Sequence, residues 1–242
     1  MNIGIIFAGG VGSRMHSKEL PKQFLRVHDK PIIIHTLEHF EKCAQIDAIV
    51  IACVEGWIPY LEELVYKYRI DKVKKIVPGG TSGQMSIYNG IVAAKEVANS
   101  DDAIVLIHDG VRPLISAKLL EENIECVKEK GNCITAGIVK ETIVEIDDNN
   151  KVKFVPERVH SRVAKAPQSF YLKDILDAHL KAQSEGKFEF IDSCTMMQYY
   201  GHELYMITGP YENIKITTPD DYFTLKAVLD SKENKQIFGI ED

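Results

Sequence analysis

Three short apolar runs, Ile3–Phe7, Ala48–Cys53 and Ala103–Ile107, stand out from an otherwise mixed chain. Each is rich in Ile, Val or Ala and is bounded by a turn. That is the pattern of a parallel strand buried on both faces. Stretches with apolar residues at helical spacing come after them. These are Pro31–Cys43 (Ile33, Ile34, Leu37, Phe40), Trp57–Tyr68 (Leu61, Leu64, Val65, Tyr68) and Ala117–Lys130 (Leu119, Leu120, Ile124, Val127). A short strand, Val73–Val77, and a helix, Ser86–Val97, lie between the second and third runs. Strand alternating with helix predicts an α/β fold, a Rossmann-like open and mostly parallel sheet with helices on both faces.

The pattern changes after about residue 138. Glu141–Ile146, the turn Asp147-Asp148-Asn149-Asn150 and Lys151–Val155 read as a polar hairpin. It is either a solvated surface hairpin or an arm that reaches a partner subunit. Helices return at Leu172–Ser184 and Ser193–Tyr200, then a strand at Glu203–Thr208 and a helix at Pro219–Ser231. No internal repeat or Pro/Gly/Ser-rich linker divides the chain. The expectation is one domain over residues 1–231, an inserted β-arm at about 139–160, and a frayed tail over 232–242.

Composition narrows the function classes. With 242 residues and 45% hydrophobic content the chain can bury a large core without disulfide or metal staples. A net charge of −6 argues against nucleic acid as a partner but leaves room for a local basic pocket. Cys43, Cys53, Cys126, Cys133 and Cys194 are scattered, with no metal-ligand spacing, and read as thiols in a reducing compartment. The opening Met-Asn-Ile-Gly-Ile-Ile-Phe lacks a basic leader, and no apolar stretch is long enough to span a bilayer. The chain is expected to be cytoplasmic, with no membrane partner.

The strongest chemical signal follows the first strand: Phe7-Ala8-Gly9-Gly10-Val11-Gly12-Ser13-Arg14-Met15, then Pro21-Lys22-Gln23-Phe24-Leu25. Glycines let backbone N–H groups approach a phosphate. In an open parallel sheet such a loop sits at the carboxyl edge, where ligands bind. Arg14 and Lys22 add positive charge. Neither G-x-G-x-x-G opening a helix nor G-x-x-x-x-G-K-[ST] is present, which speaks against a nicotinamide oxidoreductase. A second signal, His108-Asp109-Gly110-Val111-Arg112-Pro113, ends the third strand. One carboxylate there, together with substrate phosphates, suits Mg²⁺. His108 reads as a structural hydrogen-bonder before a catalytic base. The third signal is Asn213-Ile214-Lys215-Ile216-Thr217-Thr218-Pro219. Lys215 is either a cation facing a pocket or a solvated residue on an edge strand.

In order and spacing these motifs, with Gly79-Gly80 and Pro167-Gln168-Ser169-Phe170, resemble the cytidylyltransferases of the 2-C-methyl-erythritol 4-phosphate and ribitol 5-phosphate type. The resemblance covers nearly the whole chain. It implies a sheet of the nucleotide-diphospho-sugar transferase type with a protruding β-hairpin arm. It also implies CTP and a small polyol phosphate as partners, Mg²⁺ or another divalent cation as cofactor, and a homodimer joined through the arm. Ala8, Gly9, Gly10 and Gly12 would line the CTP site, with Gly79, Gly80, Thr81 and Ser86 near the cytosine. Arg14, Lys22 and Lys215 would be the catalytic cations, and Asp109 the metal ligand. Arg112, Thr142 and Arg158 would surround the second substrate's phosphate, Arg158 acting in the partner's site.

The chain departs from the family pattern at Gly83, where Arg is common, at Ala166, where Thr is common, and at Ile191, where Thr or Ser is common. The last two fall toward the second-substrate half. Pro21–Leu25, Ile34–Glu38 and Gly56-Trp57-Ile58 look more like the pentitol-phosphate branch of teichoic acid and capsule pathways. Transfer to D-ribitol 5-phosphate is therefore the leading expectation, with the isoprenoid methylerythritol enzyme as alternative and an inactive nucleotide-binding homologue as a remote one.

Overall fold

The computed structural model describes residues 1–10, 20–98, 100 and 102–238. In chain order the strands are β1 (Asn2–Ala8), β2 (Arg26–Val27), β3 (Lys30–Pro31), β4 (Ala48–Cys53), β5 (Val73–Pro78), β6 (Ile104–Asp109), β7 (Asn132–Ile138), β8 (Glu145–Ile146), β9 (Val152–Phe154), β10 (Arg162–Tyr171) and β11 (Met206–Thr208). The helices are α1 (Ile32–Lys42), α2 (Ile58–Lys67), α3 (Gly83–Ala98), α4 (Ala117–Lys130), α5 (Leu172–Ser184), α6 (Ser193–Tyr199) and α7 (Pro219–Phe238). Among the described residues, no helix is long and apolar enough to cross a membrane.

Seven strands form one sheet in the order β11-β7-β10-β6-β1-β4-β5, and of these β10 alone runs against the rest. Period-two geometry sends Ile6, Ile49, Ile51 and Leu106 into one apolar layer with α1, α2 and α4. Ile3, Ile5, Val50, Val105 and Ile107 enter the opposite layer with α3, α5 and α6. Each such side chain contributes roughly 2 kcal/mol by burial. A strand covered on both faces needs an apolar residue at every position, which is why the three runs are unbroken. Gly4 interrupts β1 because the Phe40 ring fills its place: a Cβ there would stand 2.6 Å from Phe40 Cδ1. α4 starts where the Ser116 hydroxyl accepts from the Leu119 N–H, and stops at Gly131 with φ 88°.

The structure differs from the sequence expectation in several places. β7 and β10 were not predicted. β10 carries Pro167, which argues against an interior strand, yet the β10–β7 register shifts between Ala164 and Gln168, and that irregularity accommodates it. The segment around Lys215 is not a strand. α7 continues to Phe238, past the predicted end at Ser231, so residues 232–238 of the expected tail are helical, and 239–242 lie outside the described residues. The predicted hairpin pairs only over β8 and β9, a separate two-stranded sheet with every residue exposed. Its turn is closed by Asp147 Oδ1, which accepts from the Asn149 and Lys151 N–H groups, each at 2.9 Å.

Burial pushes His39, His108 and His179 down to about 4. The His179 ring nitrogens have no hydrogen-bond partner among the described residues. The folded chain keeps these rings neutral, whereas the unfolded chain takes up protons below the ordinary value of 6.5. Their contribution is complete above about pH 6.5 and is lost as pH falls through about 4, at roughly 1.4 kcal/mol per pH unit for each histidine. Urea midpoints therefore decline between pH 6.5 and 4, and His179→Leu flattens the decline. A midpoint constant from pH 7 to 5 contradicts this account.

Candidate active site

The loops leaving β1, β5 and β6 meet at the carboxyl edge of the sheet and enclose a cleft of about 490 Å³. Gln23 sets its floor. This buried side chain donates Nε2–H to the Ala8 carbonyl at 2.8 Å. Beside it Phe24 stacks on Trp57, ring centroids 5.3 Å apart. With the short helical turn Lys22–Phe24 anchored on both sides, Lys22 borders the cleft.

The Gly79-Gly80 turn packs backbone to backbone against the first glycine segment. A Cβ on Gly79 would lie 3.0 Å from Gly9 Cα, and one on Gly80 would lie 2.3 Å from Met85 Cβ. Ser86 Oγ braces this turn, accepting from the Gly80 N–H at 2.9 Å and donating to the Ser82 carbonyl at 2.9 Å. Ser82 Oγ accepts from the Met85 N–H at 3.2 Å and opens α3. Thr81, Ser82 and Gly83 line the cleft, so the positive end of the helix dipole faces it.

Asp109 is the acid at the end of β6, 5% exposed. Its Oδ1 accepts from Lys215 Nζ at 2.6 Å and its Oδ2 from Arg112 Nε at 2.7 Å. Burial alone would raise this carboxyl. The Lys215 ammonium and the Arg112 guanidinium outweigh burial and hold it below the ordinary carboxylate range. Lys215 is placed by its neighbours. Ile216 is fully buried and donates its N–H to the Val111 carbonyl at 2.9 Å, while Asn213 donates Nδ2–H to the Ala166 carbonyl at 2.7 Å. With Ile216 inside, Lys215 faces the cleft, over the Phe7 ring at 5.7 Å. The Thr217-Thr218-Pro219 run behind it is a helix start, because Asp221 Oδ2 accepts from the N–H and hydroxyl groups of both threonines.

A second cleft, about 340 Å³, opens from the first across Phe7, Gly83, Asp109 and Lys215. Arg112, Lys165, Ala166, Gln168, Ile191 and Asp192 line it. Gln168 donates Nε2–H to Asp192 Oδ2 at 3.0 Å and accepts from the Cys194 N–H at 2.8 Å, which explains the Pro-Gln motif. Both Ala166 and Ile191, the departures noted in the sequence, belong to this second cleft.

The structure brings together Ala8, Gly9, Gly10, Gly80, Thr81, Ser86, Lys22, Asp109 and Lys215 around one cleft, with Gly79 packed behind Gly9 and Arg112 in the adjoining cleft. Gly12 and Arg14 lie outside the described residues. Thr142 and Arg158 line neither cleft of their own chain, and Arg158 Nη1 donates to the Lys140 carbonyl at 3.3 Å. His108 is a structural residue: its Nε2 bonds the Arg112 carbonyl at 3.0 Å and closes the loop that presents Asp109. Sequence reasoning missed Lys165, Gln168 and Ser82 as lining residues. A Ser at 82 is an N-cap signal that the expected helix start at Ser86 passed over, whereas Lys165 depends on an irregular strand that was not predicted.

The chemistry on offer is electrostatic. Lys22, Lys215, Arg112 and Lys165 surround the two clefts, which suits paired polyanions. A thiol nucleophile is absent from this set, and burial pushes the nearby Cys53 up to about 11. One carboxylate with both oxygens held by cations fits a metal only as part of a shell completed by substrate phosphates. Among the described residues, no group of three or more His, Cys, Asp or Glu could hold one alone.

The family model described as "IspD: 2-C-methyl-D-erythritol 4-phosphate cytidylyltransferase" matches residues 3–231. A ribitol-5-phosphate cytidylyltransferase of Streptococcus agalactiae serotype V is 53% identical over 99% of this chain and 100% of its own. A 2-C-methyl-D-erythritol 4-phosphate cytidylyltransferase of Clostridium botulinum is 37% identical over 95% of this chain and 97% of its own. The crystal structure of 4-diphosphocytidyl-2C-methyl-D-erythritol synthase from Anaerococcus prevotii superposes with a TM-score of 0.82 at 27% identity, covering 95% of this chain and 96% of that one. The glycine-walled cleft, Asp109 and the cations around it thus belong to a known scaffold, and the chain is a member of the IspD cytidylyltransferase family.

Proposed function

We propose that the chain joins CTP to a polyol phosphate, D-ribitol 5-phosphate first among them, to give a CDP-alditol and pyrophosphate. One observation carries this reading: the glycine-walled cleft and the second cleft share Asp109 and Lys215 at their boundary. A triphosphate in the first and a phosphomonoester in the second would meet there. A monoester oxygen then attacks the α-phosphorus in line, and the bond to the leaving pyrophosphate breaks with its electron pair. Catalysis of this kind is positioning plus charge stabilisation. Lys22 and Lys215 offset charge on the triphosphate, the backbone N–H groups of the Gly9-Gly10 segment donate to its oxygens, and Arg112 holds Asp109 in place. The greater likeness to a ribitol-phosphate enzyme, 53% against 37% identity, favours the pentitol.

Asp109 would hold Mg²⁺ or another divalent cation through Oδ1, once Lys215, 41% exposed at its side chain, swings onto phosphate. The bound ion supplies charge neutralisation at the reacting phosphates. A homodimer is part of the same reading. Ile146, Val152, Phe154, Val155 and Val159, around β8 and β9, are exposed apolar residues that a partner would cover. Arg158 beside them would then enter the partner's second cleft.

Pyrophosphate release, crossing CTP, UTP, ATP and GTP with ribitol 5-phosphate and methylerythritol 4-phosphate, tests the reading. Turnover is expected with CTP and ribitol 5-phosphate and is lost on chelation by EDTA. Activity confined to UTP or GTP overturns the base assignment, and activity unaffected by EDTA removes the metal. A monomer mass by light scattering removes the shared site.

A further inference from the structure

We propose that Lys165 is a substrate-binding residue of the second cleft, binding the phosphate group of the incoming phosphomonoester. The inference rests on the cytidylyltransferase reading above.

The strand irregularity in β10 is the starting point. Pairing with β7 is lost between Ala164 and Gln168, and this gap contains Lys165 and Ala166, which line the cleft beside Arg112 and Lys215. Irregularities of this kind re-aim side chains next to reactive sites. The position is also built for a long side chain. A Cβ on Gly137 would stand 2.7 Å from Lys165 Cε, so the glycine in β7 leaves room for the lysine stem.

The head group is only partly engaged. Lys165 Nζ donates to the Tyr211 carbonyl at 2.9 Å and to the Pro210 carbonyl at 3.3 Å. An ammonium has three donors, so one is left over. No carboxylate among the described residues forms an ion pair with it. Burial and then the neighbouring Arg112 guanidinium push the ammonium below its ordinary range, and Glu212, on an exposed segment, opposes them. Asp109 is already shared between Arg112 and Lys215. Among the described lining residues three cations, Arg112, Lys165 and Lys215, face two acids, Asp109 and Asp192, an excess that an anionic ligand relieves. The charge at Lys165 also accompanies the apolar residues Ala166 and Ile191 in the same cleft. Recognition there falls to a cation at 165 rather than to a hydroxyl at those two positions.

The competing role is mechanical. Through Pro210 and Tyr211 the lysine pins the segment that carries Lys215. Three variants separate the roles in steady-state pyrophosphate release by the full chain with CTP and D-ribitol 5-phosphate. Lys165→Met is expected to raise the KM for the polyol phosphate roughly 10- to 100-fold and to leave the KM for CTP within about threefold. Lys165→Arg keeps the charge and recovers most of the affinity. Lys165→Gln still donates to the carbonyls but does not recover it. Inorganic phosphate, inhibiting competitively against the polyol phosphate, weakens in parallel. An unchanged KM, a rise shared by both substrates, or equal rescue by Gln and Arg overturns the proposal and leaves Lys165 as a loop anchor. If the wild-type chain turns over no polyol phosphate, the functional reading fails instead. Calorimetric binding of inorganic phosphate to the wild type and to Lys165→Met then decides Lys165 by itself.

Discussion

Lys215→Met lowers kcat by about two to three orders of magnitude and changes CTP affinity much less. The reason lies in where the ammonium sits. It faces the boundary of the two clefts, 2.6 Å from Asp109 Oδ1, where negative charge is redistributed between the attacking oxygen and the departing pyrophosphate. A cation there stabilises the transition state more than either bound substrate, so the loss falls on kcat. Methionine keeps the length of the stem and its contact with the Phe7 ring. The substitution also removes the largest charge that holds Asp109 low. With burial then less opposed, the Asp109 carboxyl rises, and the acid limb of the residual kcat profile moves to higher pH. Stopped-time pyrophosphate release across pH 5 to 9, with CTP titrated by calorimetry, checks both effects. A kcat within about fivefold of the wild type, or a loss seen only as weaker CTP binding, rules out the role assigned to Lys215.

Asp109→Asn costs both activity and stability. The carboxylate is nearly fully buried and serves two cations, so its neutral isostere leaves Arg112 and Lys215 side by side without a counter-charge. Breaking a buried pair in this way costs about 3 kcal/mol for the Arg112 side. The Lys215 side adds little, because that side chain is 41% exposed and water screens it. For a domain of this size the change corresponds to a fall in melting temperature of roughly 6–12 °C. Turnover falls at least about a hundredfold, since the acid shared by both clefts is gone and Arg112, which also binds the Asn213 carbonyl at 3.1 Å, loses its anchor. Differential scanning calorimetry and the release assay read the two effects separately. Normal melting together with near-normal turnover would falsify the central place given to Asp109.

Several parts of this molecule were legible before any fold was known. The three buried strands announced themselves because a strand covered on both faces admits no polar position, and helical spacing behind them followed from burial of a single face. Glycines at 9, 10, 79 and 80 marked close backbone approach, and the structure shows Gly9 packed against Gly79 and Gly80 against the start of α3. The motif order also carried Asp109, Lys22 and Lys215 to one cleft, since all three lie at or near the carboxyl edge of a parallel sheet.

Other parts depended on long-range packing. β10 was hidden because its sequence contains a proline and polar residues, and it exists as a strand through pairing on both sides, with β6 and β7. Lys215 could have been solvated; its direction came from Ile216 locking into the core beneath Val111 and from Asn213 reaching across to Ala166. Lys165 enters the second cleft through a strand irregularity and a carbonyl pair more than forty residues away in the chain. Local sequence encodes periodicity, turns and caps because those depend on neighbours along the chain. The facing of a lone polar side chain depends on which distant backbone groups are left to receive it, and that is known only once the sheet has assembled.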